Sequence, residues 1–298
     1  MTRLGRWRRG LVLCGALGLS IGIANSGGAA TQTPLERGLA TTSLSTHELH
    51  QLANINVERV DPWCWKVNGV CWHSPATAKK PAIMFGDSHV AMWLPAVAAA
   101  LPDYQLQVWW HPSCPVAKVK PFSQSDQSYN TECVKWRSDT IAQIVKVHPR
   151  LIILAERTSS LFVSSGHLIT TQALTSALRQ SFTALAKSHA QIALIGDTPS
   201  FPSDPVACLA LHRTAPLACA IKRDSLAREQ QSLTAAEKAA AKESGVTFVD
   251  PRPWVCSKTL CPALLGNDVG YSDQDHFTAS AVAQLSGRLK EALQPALR

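Results

Sequence analysis

The sequence predicts an α/β protein, a three-layer α/β/α sandwich whose parallel sheet is covered by helices on both faces. Three observations predict it. Runs such as Ile83-Met84-Phe85, Leu151-Ile152-Ile153-Leu154 and Ile192-Ala193-Leu194-Ile195 are apolar at successive positions, as strands buried on both faces require. The stretches between them carry apolar residues at helical spacing and are long enough for the crossovers that join parallel neighbours. The runs end in short polar loops, which such a sandwich gathers at the carboxyl edge of its sheet. A chain of 298 residues, 46% apolar, buries one substantial core, so one main domain is expected over residues 61–298.

Taken in order, residues 31–60 are rich in Thr, Ser and Ala and read as a linker, with one short helix around His47 to Ile55. The Cys64-Trp65…Cys71-Trp72 stretch reads as a cover over the domain's edge. Pro81 opens the first strand, and Val90 to Leu101 reads as a helix, so Ser88 falls on a strand-to-helix turn. Tyr104 to Trp110 alternates enough to be a second strand, and it enters the loop His111-Pro112-Ser113-Cys114-Pro115. Cys133 to Val147 has helical spacing, with Trp136, Ile141, Ile144 and Val145 apolar, and the strand Leu151–Leu154 ends at Ala155-Glu156-Arg157-Thr158. Thr170 to His189 is a second amphipathic helix, followed by the strand Ile192–Ile195 and the loop Gly196-Asp197-Thr198-Pro199. Prolines at 199, 202 and 205 lead into an insert, Cys208 to Cys219, read as a lid or rim. Asp224 to Ser244 is helical, Val246 to Val249 is the last strand, and Thr278 to Leu293 is the closing helix. The alternation is flavodoxin-like, and it brings Ser88, Ser113, Arg157 and Asp197 to one sheet edge.

The first ten residues hold four arginines and are followed by an uncharged stretch to Ala30. Its apolar part, Leu11 to Ala24, is short for a membrane span, and Ser26 to Ala30 supplies small residues suited to cleavage. Residues 1–30 therefore read as a secretory signal peptide, with an uncleaved inner-membrane anchor as the rival reading. Either way the domain is periplasmic or secreted. The formal charge of +8 is partly an export feature: without those arginines 25 basic residues face 21 acidic ones, a net +4. No basic run with interleaved aromatics occurs, which argues against nucleic-acid binding.

Nine cysteines fit that compartment. Beyond Cys14, eight fall as Cys64/Cys71, Cys114/Cys133, Cys208/Cys219 and Cys256/Cys261. In an exported chain they read as four disulfides closing short loops, although eight cysteines allow 105 connectivities. No Cys-x-x-Cys or paired-histidine spacing supports a metal site, and no cofactor motif occurs.

The chemistry concentrates in two short stretches. In Gly86-Asp87-Ser88-His89 the serine stands where helix-start N–H groups are unpaired and face developing negative charge. In Tyr271-Ser272-Asp273-Gln274-Asp275-His276-Phe277-Thr278, Asp273 lies three residues before His276, so one turn brings carboxylate and imidazole together. Carboxylate orients imidazole, and imidazole takes the serine proton. Each motif alone is common by chance; the pair is a specific combination. Asp275 is the competing carboxylate.

Those two stretches, with Cys114-Pro115, the strand Leu151 to Arg157 and the Cys256…Cys261 pair, resemble an SGNH (GDSL-like) esterase/acyltransferase domain from about residue 60 to 298. They are most similar to the periplasmic SGNH domains that are fused to, or work beside, acyltransferase-3 membrane proteins that O-acetylate cell-surface polysaccharides. The resemblance implies the SGNH hydrolase fold and an O-acetyltransferase or acetylesterase with Ser88 as nucleophile, His276 as base and Asp273 as its orienting acid. It further implies a carbohydrate acyl acceptor, a membrane acyltransferase partner, and no cofactor or metal; we expect a monomer. Relatives place a backbone oxyanion donor, usually glycine, in the loop after the second strand; here that falls to Ser113 or Cys114. They usually carry Gly-x-Asn-Asp after the third strand, where this chain has Arg157 at the Asn position, either donating to the oxyanion or pairing with Glu156 or Asp87. Two other readings stand beside this one: a non-catalytic glycan-binding module of the same fold, and a lipid esterase. The polar loop from Pro121 to Thr131 suits sugars better than lipid.

Overall fold

A computed structural model describes residues 32–60, 65–67, 70–72, 80–226 and 228–298. The leader or anchor assigned to residues 1–30 lies outside the described residues, as do Cys64 and hence the Cys64–Cys71 pairing. Five strands form the parallel sheet: β1 (Lys80–Gly86), β2 (Tyr104–Trp110), β3 (Leu151–Ala155), β4 (Gln191–Ile195) and β5 (Thr247–Val249). Their order is β2-β1-β3-β4-β5, and every neighbouring pair is parallel. A short hairpin, Trp65–Val67 with Val70–Trp72, adds antiparallel strands outside β2. The chain reverses its direction of travel across the sheet between β1 and β3, so a crevice opens at their carboxyl ends.

Successive apolar residues divide between two layers. Ala82, Met84 and Ile153 face one core, while Ile83, Phe85, Ile152 and Leu154 face the other. That is why these strands read as continuous apolar runs. Helices Thr131–Val147, Thr171–Leu185 and Arg228–Glu243 cover the second face, and Leu94–Ala100 and Ser286–Leu293 the first. Among the described residues no helix is long and apolar enough to cross a membrane.

Two segments differ from the sequence reading. The helix expected over Val90 to Leu101 is two helices, Ser88–Met92 and Leu94–Ala100, joined at Trp93. Pro95 brings no N–H to bond one turn back, so the ladder breaks there. Within the stretch read as a linker, the short helix expected around His47 to Ile55 is Thr46–Ala53, and a helix not expected, Pro34–Ala40, precedes it; each opens with a capping box, Ser45/Glu48 and Thr33/Glu36. Both pack on the domain. Gly38 lies so close to Leu264 that a Cβ would stand 2.4 Å from its carbonyl oxygen. Gln51 donates to Asp268 and Ser280 at 2.8 Å and accepts from the Val269 N–H at 2.9 Å. These contacts brace the segment that carries His276.

Disulfides join Cys114 to Cys133, Cys208 to Cys219 and Cys256 to Cys261, as the neighbouring spacing suggested.

Candidate active site

Ser88 reaches its place because β1 and β3 come close together where they end. A Cβ on Gly86 would stand 1.9 Å from the Ala155 carbonyl oxygen, so only glycine fits before the turn. Asp87 then caps the helix that Ser88 opens, accepting from the His89 N–H at 2.8 Å, and its other oxygen accepts from the Arg157 N–H at 2.8 Å. One buried carboxylate thus ties the loop after β1 to the loop after β3. Ser88 opens the helix, half-exposed between buried neighbours, with its N–H in the unpaired first turn.

His276 comes from a tight turn rather than a helix start. The Ser272 N–H donates to the His276 carbonyl at 2.9 Å, and Asp273 Oδ1 accepts from the backbone N–H groups of Asp275 (3.1 Å) and His276 (2.9 Å). Tyr271 and Phe277 anchor the turn's two ends in the core. The turn aims Nε2 of His276 at Ser88 Oγ, 2.8 Å away. Its Nδ1 faces Asp273, 2.9 and 3.0 Å from the two oxygens, and also Asp275 Oδ1 at 2.9 Å. Burial opposes charge on this imidazole, but the two carboxylates outweigh it and hold His276 above its ordinary value. A serine hydroxyl bonded to such an imidazole is arranged to lose its proton to it.

Asp275 is the more enclosed of the two acids, its side chain 5% exposed against 36% for Asp273. Burial works against its charge, yet His276, His89 and Arg157 hold it below the ordinary carboxylate range. Arg157 Nη2 lies 2.5 Å from Asp275 Oδ2. The arginine's ion-pair partner is therefore neither Glu156 nor Asp87. Glu156 is fully buried, accepts from the Ala117 N–H at 2.7 Å, and is pushed up by burial to about 8.

Ser88, Ser113, Arg157 and His276 line one cleft of about 390 Å³, closed by Pro121 to Ser125, Asn130 and Ser160 to Phe162. Of the two expected oxyanion donors in the loop after β2, Ser113 reaches the cleft and Cys114 does not. The Cys114 N–H is used in the turn, donating to the His111 carbonyl at 3.1 Å, and the residue is fully buried in its disulfide. Ser113 has φ 54°, the left-handed conformation that favours glycine, so it keeps a glycine-like backbone with a serine side chain. The polar loop from Pro121 was visible in composition. The segment Ser160–Phe162 and the partnership of Asp275 with His89 were not, because both depend on pairings across the sheet edge. Ligand atoms of His89, Asp275 and His276 lie within 4.8 Å of one another, but Asp275 already pairs with Arg157 and His276 with Ser88 and Asp273. That donor set is spent on internal contacts.

The chain belongs to the family of SGNH domains that occur fused to AT3 domains, whose model matches residues 51–291. Among solved structures it is similar to the periplasmic domain of the lipopolysaccharide acetyltransferase of Salmonella ser. Paratyphi A, with 15% identity, a TM-score of 0.59, and coverage of 87% of this chain and 94% of that one. A GDSL-like lipase from Parabacteroides merdae aligns at 10% identity and a TM-score of 0.46, covering 74% of this chain and 98% of that one. No curated protein matches by sequence. At 15% identity the likeness to the acetyltransferase domain speaks for the fold alone, a five-stranded parallel sheet between helices.

Proposed function

We propose that the protein is an exported serine acyl-transfer enzyme, an O-acetyltransferase or acetylesterase acting on cell-surface polysaccharide. The observation that carries this reading is the line Ser88 Oγ to His276 Nε2, 2.8 Å, continued from Nδ1 to Asp273 at 2.9 Å. Ser88 Oγ attacks the acyl carbonyl carbon as His276 Nε2 takes its proton. The oxyanion faces the Ser88 N–H and the backbone of the Ser113 loop, each such donor being worth about 3 kcal/mol in other enzymes. Collapse expels the donor's alkoxide, which takes the proton back from Nε2 and leaves an acyl-serine. A glycan hydroxyl, or water, then gives its proton to Nε2 and attacks the acyl carbon, and the intermediate collapses by breaking the bond to Ser88 Oγ, which takes that proton back from Nε2.

Several features support a sugar as acceptor. The cleft wall offers Ser123, Gln124, Ser125, Asn130 and Ser160 beside Phe122 and Phe162, hydroxyl and amide groups with aromatic faces that suit a carbohydrate better than an acyl chain. Three disulfides suit an oxidising compartment, and the family supports an acyltransferase-3 membrane partner that delivers the acetyl group. The test is acetyl transfer or release by the purified protein, from an activated acetyl ester, with and without glycan. Acetylated glycan or free acetate that disappears in Ser88→Ala is expected. Tight glycan binding with neither product would make the domain a binding module.

A further inference from the structure

The residue after the nucleophile, His89, is fully buried between two acids that the acyl-transfer chemistry leaves unexplained. Its Nδ1 lies 3.1 Å from Asp197 Oδ1 and its Nε2 lies 3.9 Å from Asp275 Oδ1; the three side chains are 2%, 0% and 5% exposed. A neutral imidazole offers one donor and one acceptor and cannot face carboxylates from both nitrogens. Carboxylate oxygens beside both nitrogens, at 3.1 and 3.9 Å, favour the imidazolium.

We propose that His89 is a positioning residue for the Ser88–His276 pair: with Arg157 it holds Asp275 as a second, charge-compensated carboxylate against His276 Nδ1. The inference rests on the acyl-transfer reading of that pair. Two bare carboxylates on one N–H would repel each other and make His276 too basic to be a free base near neutral pH. Asp275 avoids this because one oxygen pairs with Arg157 and the other faces His89 as well as His276. The same histidine links the loops that carry the site. Asp197 follows β4, and its Oδ2 accepts from the N–H groups of Thr158 (3.0 Å) and Ser159 (2.8 Å) beyond β3. Thr198 Oγ1 donates to the Asp275 carbonyl at 3.3 Å.

The charged groups facing His89 are Asp87 on its own element, Asp197 after β4, and Asp275 and His276 on the turn, where its ring meets His276 edge-on at 5.0 Å. Glu237, from helix Arg228–Glu243, stands behind Asp197 and is kept well above the ordinary range by burial, then by Asp197. Burial opposes charge on His89, yet Asp197 and Asp275 outweigh it and push it to about 10.

The experiment measures the rate at which a fluorophosphonate labels Ser88 in the full chain, as a function of pH. Removing His89 leaves Asp275 with Arg157 as its one remaining compensating cation, so His89→Gln should move the labelling midpoint upward by about one pH unit, with about a tenfold loss below it. Asp275→Asn should move the midpoint downward, and the double variant should return toward wild type. A merely structural histidine would lower the rate at every pH and leave the midpoint alone; unchanged midpoints in both single variants overturn the proposal. If His89→Gln does not fold, Asp275→Asn and ¹⁵N imidazole spectra of the wild type decide: a ring neutral at pH 7 refutes the assignment. Absence of any wild-type label would defeat the acyl-transfer reading instead, and the spectra would still report on His89.

Discussion

Arg157 spends its guanidinium on Asp275, with Nη2 2.5 Å from Oδ2, while the same side chain lines the cleft beside Ser88. An arginine that only donated to the oxyanion would have no influence on the acid that touches His276. Here it does. Arg157→Ala should lower turnover tenfold or more and also raise the pH at which activity is half-maximal, because Asp275 then has one cation fewer to offset its pull on His276. A turnover loss with an unmoved pH midpoint would mean oxyanion donation alone.

The two carboxylates at His276 are not equivalent. Asp273 contacts Nδ1 with both oxygens and builds the turn by accepting two backbone N–H groups. Asp275 is shared with cations. Asp273→Asn should therefore cost more in turnover, about 10²–10³-fold against about tenfold for Asp275→Asn. Steady-state kinetics of the two variants check this, and the reverse order would hand the orienting role to Asp275.

Activity should rise with pH as His276 loses its proton. Burial resists the imidazolium but Asp273 and Asp275 favour it, so the midpoint should lie above the free-histidine value of about 6.5. A pH–rate profile with chemistry limiting reads it directly; a flat profile from pH 5 to 8 would count against a histidine base.

Much of the fold was open to reading because parallel strands buried on both faces leave little room for polar residues. Ile83, Ile152 and Ile153 all announced themselves that way. The serine and histidine were legible because each sits in a short turn whose neighbours are fixed by backbone needs, Gly86 by the Ala155 carbonyl and Asp273 by the N–H groups it accepts. What escaped was pairing at a distance. Nothing near Arg157 in the chain indicates Asp275, and nothing near His89 indicates Asp197. The helix Pro34–Ala40 looks like linker by composition, since what holds it is Gly38 meeting Leu264, a contact far away in the chain.

Stability should respond to pH through Glu156. The folded protein keeps this carboxyl protonated up to about 8 because burial resists its charge, whereas the unfolded chain releases the proton near 4.5. Folding therefore weakens as pH rises from 4.5 to 8, on the order of a few kcal/mol. Glu156→Gln can still accept from the Ala117 N–H and should melt higher than wild type at pH 8 but not at pH 4.5. Equal melting temperatures at both pH values would show that Glu156 is ionised in the folded state.

The central claim is that Ser88 is a nucleophile activated by His276, and covalent labelling tests it most directly. A fluorophosphonate probe should modify one peptide, the one containing Gly86-Asp87-Ser88-His89, and intact-mass analysis should show a single adduct. His276→Ala should slow that labelling by several orders of magnitude while leaving the fold intact, since the base and nucleophile act as a unit. Label on a different peptide, or equal labelling rates with and without His276, would contradict the account.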